Sequence, residues 1–344
     1  MRASRRRHLH RAFLLASLLA AFSGCQQAPP AHGPALPLVR PVPDAPGRLL
    51  YARLRPDARS AFMTFEPATG ALAELVVFPP GVIAGMPAAS PDGAQVAYSA
   101  YRPGKDPTDP GGTDLYVMDA AGGRQHLVAT HPQAGESLTE PAWAPDGRAL
   151  YVTHVARDGA MRIERISLSD RRRQTVIANA SYPTVAPDGR VGFIRMDPSL
   201  RIQELWVAQA DGRGARRIVA GSPFAGMAFP RFAPAADLIV FAAIGGPVGS
   251  PSPRSERPVP LWQRGRAAFA HAVPWDLWIV ASDGTGLRQV TNLKEDYPVP
   301  VWSADGHWIA FTGEFGLYLL RHAEKRVVRV HDEGAGSGLA WLSR

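Results

Sequence analysis

The chain writes one phrase repeatedly, and that repetition limits its fold more than any other feature. Residues 87–93 read PAASPDG, 141–147 PAWAPDG, 183–189 PTVAPDG, 230–236 PRFAPAA and 300–306 PVWSADG. The C-terminal GLAWLSR (338–344) begins another copy and stops. Each full copy is followed by an apolar, alternating run: AQVAYSA, RALYVTHV, RVGFIRM, DLIVFAAI and HWIAFTG. A second run starts at Asp114, Met161, Glu204, Asp276 or Gly316, and a short third run follows a polar turn. Such runs, bounded by turn residues, predict four short strands per unit. The Asp-Gly pairs at 92–93, 146–147, 188–189 and 305–306 are expected in tight hairpin turns, where positive φ favours Asp and Gly. The leading proline sits where a strand begins and need not donate to the sheet.

A lone four-stranded sheet leaves both faces uncovered, whereas a ring of such sheets covers them against one another. The phrase resembles the TolB-type, WD-like propeller repeat, PxWSPDGxxIAF, and the resemblance runs over 48–344. It implies an all-β, six-bladed β-propeller of four-stranded antiparallel blades. Five blades are expected at about 86–128, 141–177, 183–219, 229–291 and 298–331. Residues 47–77 hold later strands without the phrase, and GLAWLSR holds the phrase without later strands. Joined, they make the sixth blade, with the ring closed by the C-terminal strand pairing with the N-terminal blade and no free edge left there. Trp143, Val185, Phe232, Trp302 and Trp341, two places after the phrase proline or its equivalent, are expected between sheets.

Residues 1–24 read as an address. Arg2, Arg5, Arg6, Arg7 and Arg11 precede an apolar run from Ala12 to Phe22, too short to cross a bilayer as a helix but suited to a secretory signal peptide. Ser23 and Gly24 then precede Cys25, the single cysteine. This resembles the lipobox of bacterial lipoproteins, with Phe22 standing where leucine is usual. The resemblance implies lipidation at Cys25 and a membrane anchor, and Gln26 after it implies the outer membrane, facing the periplasm. Residues 25–47, rich in Pro and Ala without strand or helix period, are expected to form an extended tether, and 48–344 the propeller. Without the leader the chain holds 33 basic and 30 acidic residues, a balance that gives no basic stripe for nucleic acid.

Two loops between the second and third strands of their units are long: 102–113 (RPGKDPTDPGGT) and 245–274. In a propeller both hang over the same channel mouth. The second carries Arg254, Arg257, Trp262, Arg264 and Arg266 and ends at Trp275, residue types enriched at binding hot spots, and is expected to dock a protein partner or to be an inert insertion. Asp106, Asp109 and Asp114 lack the spacing of a calcium loop and read as turn residues. The chain has no GxSxG, HExxH, P-loop or GxGxxG, and its ten histidines fall singly. No catalytic residue, metal or cofactor is therefore assigned. The expectation is a monomeric, membrane-anchored envelope lipoprotein whose propeller is a non-catalytic interaction platform for an envelope protein of unknown identity. The alternatives are a propeller enzyme acting on a polysaccharide or peptide, or a small-ligand binder using the channel. Three or more acids and histidines converging at the mouth would mark the enzyme, and an aromatic or apolar mouth the platform.

Overall fold

The computed structural model describes residues 39–106, 108–197, 202–247, 274–313, 316–332 and 338–343. Among the described residues there are 24 strands and no helix. The first group is β1 (Arg48–Leu54), β2 (Ser60–Glu66) and β3 (Ala71–Val77), with β24 (Leu339–Leu342) added beside β1. Then come β4 (Ile83–Ala89), β5 (Gln95–Arg102), β6 (Gly112–Asp119) and β7 (His126–Ala129). Next are β8 (Ser137–Trp143), β9 (Ala149–Val155), β10 (Met161–Ser167) and β11 (Arg173–Ala178). Further along lie β12 (Ala180–Val185), β13 (Val191–Met196), β14 (Gln203–Ala208) and β15 (Arg216–Val219). Last come β16 (Phe224–Phe232), β17 (Leu238–Gly245), β18 (Trp275–Ala281) and β19 (Arg288–Gln289), then β20 (Val299–Trp302), β21 (Trp308–Gly313), β22 (Gly316–Arg321) and β23 (Arg326–His331). Within each group the pairing is antiparallel and sequential. A single parallel pair, Thr113 with Ser137, fuses the second and third groups into one eight-stranded sheet.

The strands that carry the phrase lie innermost and touch one another in order: β4 to β8, β12, β16, β20, β24 and back to β4. Hydrophobic clusters fill the space between each pair of successive groups, and one of them joins β21–β23 to β1 and β2 through Leu339 and Trp341. Trp143, Phe232, Trp302 and Trp341 are buried in these clusters, as the phrase predicts, and Val185 is half-buried. Three of the indoles also bond a neighbouring backbone: Trp143 Nε1 donates to Ala88 O (2.9 Å), Trp302 to Arg231 O (3.0 Å) and Trp341 to Pro46 O (2.7 Å). A buried indole N–H left without an acceptor would cost about 1–3 kcal/mol, so these bonds explain why tryptophan rather than phenylalanine serves there.

The turns differ from expectation in one respect. Only the glycine of each Asp-Gly pair has positive φ: Gly93 (70°), Gly147 (68°), Gly189 (89°) and Gly306 (71°). The aspartate acts as an acceptor instead. Asp92, Asp146, Asp188 and Asp305 each take the N–H two residues on at 2.9–3.1 Å, inside a loop closed by bonds such as Gly147 N to Ala144 O. The loop is thus longer than a two-residue hairpin, and Asp is selected for its side-chain oxygen.

The expected tether also ends earlier than 47. Val39 bridges His331, Arg40 N donates to Val330 O, and Val42 N donates to Pro67 O, with Val42 and Ala45 buried. This segment lies along the outer strand β23 and crosses to the first group because β23 presents unpaired backbone groups that an extended chain can satisfy.

β24 pairs with β1 through Arg48–Leu342, Leu49–Trp341, Leu50–Ala340 and Tyr51–Leu339, and all four β24 residues are buried. Removing 338–344 takes away two buried leucines and a tryptophan, each worth roughly 1.5–3 kcal/mol when buried, and frees the edge of β1. The truncated protein is expected to lose its cooperative thermal transition or to melt at least about 10 °C lower. An unchanged melting temperature would show that β24 does not hold the fold together.

Candidate functional site at the channel mouth

The residue before the phrase proline has an unusual backbone. Met86, Glu140, Tyr182 and Phe229 take φ of 50°, 57°, 55° and 52°. Gly338 (93°) does so before Leu339, and Tyr297 (51°) before Pro298. Side chains of this size rarely occupy the left-handed region, so the surrounding fold must impose it. In the first four cases the strand register shifts there, between Gly85 and Ala88, Thr139 and Ala142, Ser181 and Thr184, and Ala228 and Arg231. Each is a β-bulge, a device that re-aims a side chain.

These side chains converge. The hydroxyls of Tyr182 and Tyr297 are 2.7 Å apart, although the whole β16–β19 group lies between their own groups in the chain. The Phe229 ring meets both edge to face, with centroids 4.9 Å from Tyr182 and 5.0 Å from Tyr297. Met86 packs against the same cluster from the β4 side. This set therefore brings together residues of non-neighbouring groups at the starts of the innermost strands. Tyr297 keeps 37% of its surface accessible, yet burial pushes its hydroxyl up to about 12.

One carboxyl and one guanidinium share this space. Glu140, 9% exposed, accepts from Thr153 Oγ1 (2.7 Å) and Tyr182 N (3.0 Å), both at Oε2. Burial pushes Glu140 up to about 7, against the lowering pull of those two bonds and of Arg231. Burial likewise lowers Arg231, while Glu140 and Tyr182 pull it back up. Arg231 Nη1 donates to Pro230 O at 2.9 Å, and Arg231 forms no ion pair among the described residues. The site is therefore an aromatic mouth with a near-neutral acid and a cation with unused donors.

The other acids and histidines nearby are committed elsewhere. Asp114 takes His131 N (2.9 Å) and faces its Nδ1 (2.6 Å), and the equivalent Asp276 takes Thr291 Oγ1 (2.9 Å) and Leu293 N (2.8 Å). An acid at this strand position holds the chain that leads to the next group. His154, fully buried, has Nδ1 2.8 Å from Glu164 and Nε2 2.9 Å from Glu136. Burial would raise Glu164, but bonds from His154, Arg173 and Arg162 hold it at about 2. Asp106 and Asp109 are occupied by turn bonds from Thr108, Gly111 and Lys105. Among the described residues no group of three or more His, Cys, Asp or Glu is placed to hold a metal ion.

Of the residues that sequence pointed to, Cys25, Arg254, Arg257, Trp262, Arg264 and Arg266 lie outside the described residues. Trp275 is described and does not face outward. It is 7% exposed in β18, its ring packs on Tyr297 at 4.9 Å, and its N–H donates to Glu295 O at 3.0 Å. Trp275 is therefore part of the wall of the mouth. Sequence reasoning passed over Met86, Tyr182, Phe229, Arg231 and Tyr297. The available signal was the residue before the proline, which varies in size and charge while the phrase around it repeats.

No protein-family model matches the chain. A 108-residue stretch is 33% identical to the Tol-Pal system protein TolB of Anaeromyxobacter dehalogenans, covering 30% of this chain and 24% of that protein. The match thus spans about a quarter of the length of that relative. The fold is similar to that of TolB from Acinetobacter baumannii, with a TM-score of 0.63 at 15% identity, over 86% of this chain and 66% of the other. A second likeness, to a TolB-named structure from Agrobacterium tumefaciens, has a TM-score of 0.54 at 18% identity over 75% of this chain and 87% of the other. The chain is a β-propeller of the TolB type in fold.

Glu140 supplies a stability test. Its folded value of about 7 lies above the ordinary 4.5, so its contribution to stability is complete below about 4.5 and is lost as pH rises through 7. Between pH 5 and pH 8 the protein is expected to lose on the order of 2–3 kcal/mol through this group. Glu140→Gln should abolish that loss in denaturant titrations. Parallel pH profiles for the two proteins would place the ionisation elsewhere.

Proposed function

We propose that this protein is an exported, lipid-anchored component of a bacterial envelope whose six-bladed propeller serves as a non-catalytic docking platform. The observation that carries the reading is the mouth itself: the buried Phe229 ring holds Tyr182 and Tyr297 edge to face beside Met86, and Tyr297 keeps 37% of its surface accessible. Large, preorganised aromatic side chains on a rigid rim are what protein interfaces use as anchors. Glu140 is the acid bonded to the Tyr182 backbone there, and Asp114, His131, Glu136 and His154 are bonded within the walls. That arrangement suits recognition better than acid–base chemistry. The likeness to TolB, a protein named for the Tol-Pal system, supports a partner of the envelope kind.

The remaining parts of the reading rest on the sequence and on the strand pairing. The six innermost strands are taken as six blades, closed where β24 joins β1. The leader, Cys25 and Gln26 support export and attachment to the outer membrane, and the Pro- and Ala-rich segment after them supports a tether whose last residues dock on β23.

The test is a cross-linked pull-down from native membranes with four proteins: wild type, Tyr297→Ser at the accessible ring of the mouth, a variant lacking 247–273, and Arg213→Ala at an exposed turn away from the mouth. A partner recovered with wild type and Arg213→Ala, and reduced at least about tenfold by Tyr297→Ser, is the expected result. Loss on deleting 247–273 as well would extend the surface to the insert. Recovery unaffected by Tyr297→Ser and by the deletion would remove the mouth as the docking surface.

A further inference from the structure

The guanidinium of Arg231 is the least satisfied charge in the channel wall. It occupies the place after the phrase proline where the other copies carry Ala88, Ala142, Thr184 and Val301. Nothing in the scaffold therefore requires a cation there, and the bond that serves packing at this position, from Trp302 Nε1, goes to the Arg231 carbonyl. The side chain is half-buried and its hydrogen bond goes to Pro230 O, one acceptor against five N–H donors. A cation drawn into a desolvated wall is stabilised most by an anion with matching geometry, and the planar fork of arginine matches a carboxylate.

The neighbours complete such a site. In the Tyr182–Tyr297 pair one hydroxyl donates to the other, so the second phenolic proton is free to donate outward. The hydrogen bonds of Glu140 both fall on Oε2. Oε1 is left to meet a ligand oxygen and, when Glu140 is neutral, to share a proton with it. Phe229 and Met86 form apolar sides. The groups facing Glu140 are Thr153 from β9, Tyr182 from β12, Arg231 from β16 and Tyr297 ahead of β20.

We propose that the channel mouth binds a carboxylate group of a peptide partner, with Arg231 as its counter-ion and Glu140 and the tyrosine pair as hydrogen-bonding neighbours. The proposal rests on the docking reading and names the chemistry that the partner must present. It also fixes a pH dependence. Below about 7 Glu140 is neutral and does not offset the positive charge of Arg231. Above 7 Glu140 ionises, cancels that charge and repels the ligand, so binding weakens as pH rises.

The test uses isothermal titration calorimetry on the full chain with four probes: acetyl-Ala-Ala-Ala as the free acid, the same peptide as its amide, acetyl-Ala-Asp-Ala amide, and acetate. At pH 6.0 a carboxylate peptide is expected to bind at least about tenfold more tightly than the amide. The two carboxylate peptides distinguish a chain end from an acidic side chain, and acetate measures the anion without the peptide. Binding at pH 8.5 should be about tenfold weaker for wild type and unchanged for Glu140→Gln. Arg231→Gln should abolish the preference for acid over amide, and Arg231→Lys should restore part of it. Tyr297→Phe, which keeps the ring, should weaken the carboxylate probe alone. Equal binding of acid and amide, no binding of any probe up to about 10 mM, or a preference that survives Arg231→Gln would overturn the proposal. None of these outcomes would cancel partner recovery in the cross-linking experiment, so the docking reading stands or falls separately.

Discussion

The rest of the molecule depends on the four residue pairs between β24 and β1. Both strands are short, and neither group of strands could be completed without the other end of the chain. The pairing places Leu339 and Trp341 in the cluster facing the last group, and Ala340 and Leu342 in the one facing the second. A four-residue strand therefore serves two hydrophobic clusters at once, because alternate side chains point to opposite faces. The segment at 39–46 reinforces the same seam from outside, along β23, and the Trp341 indole ties it to Pro46.

The second constraint is the bulge ahead of four phrase prolines, Pro87, Pro141, Pro183 and Pro230. A proline at that point cannot donate, and the residue before it is forced into a conformation that its side chain disfavours. The scaffold tolerates this because the flanking strand is held by the sheet on one side and by the next innermost strand on the other. The result is a position whose backbone is set by the repeat and whose side chain is released toward the axis. Met86, Glu140, Tyr182 and Phe229 show that such a position accepts a thioether, a carboxyl, a phenol or a phenyl ring with the same backbone. This separates scaffold from display: the phrase builds the wall, and the residue before it faces the channel.

Much of the fold was legible in the chain. Strand runs, their order, the turn glycines and the aromatic residues between sheets all follow from local patterns of two to seven residues. The Asp-Gly turns were located correctly but misread in mechanism, since the pair signals a hairpin whether the aspartate supplies positive φ or an oxygen. The start of the packed domain was placed too late, because Val39 to Ala45 carries no strand period and is held by contacts with Val330 and Pro67, which are distant in sequence. Trp275, expected among the partner-binding residues because it follows the insert, begins β18, and the strand decides its burial.

By itself, then, the sequence determined an all-β chain of repeated four-strand units whose incomplete first and last pieces complement each other. Those properties are local, written in alternation, proline and turn chemistry. Only the tertiary structure decided what the repeats display. Glu140, Tyr182, Arg231 and Tyr297 are scattered along the chain and share no motif. Their meeting on one axis is a consequence of arranging innermost strands around a common centre. The shift of Glu140 to about 7 and the unused donors of Arg231 exist only there, because desolvation and charge are properties of a place in the fold and not of a residue type.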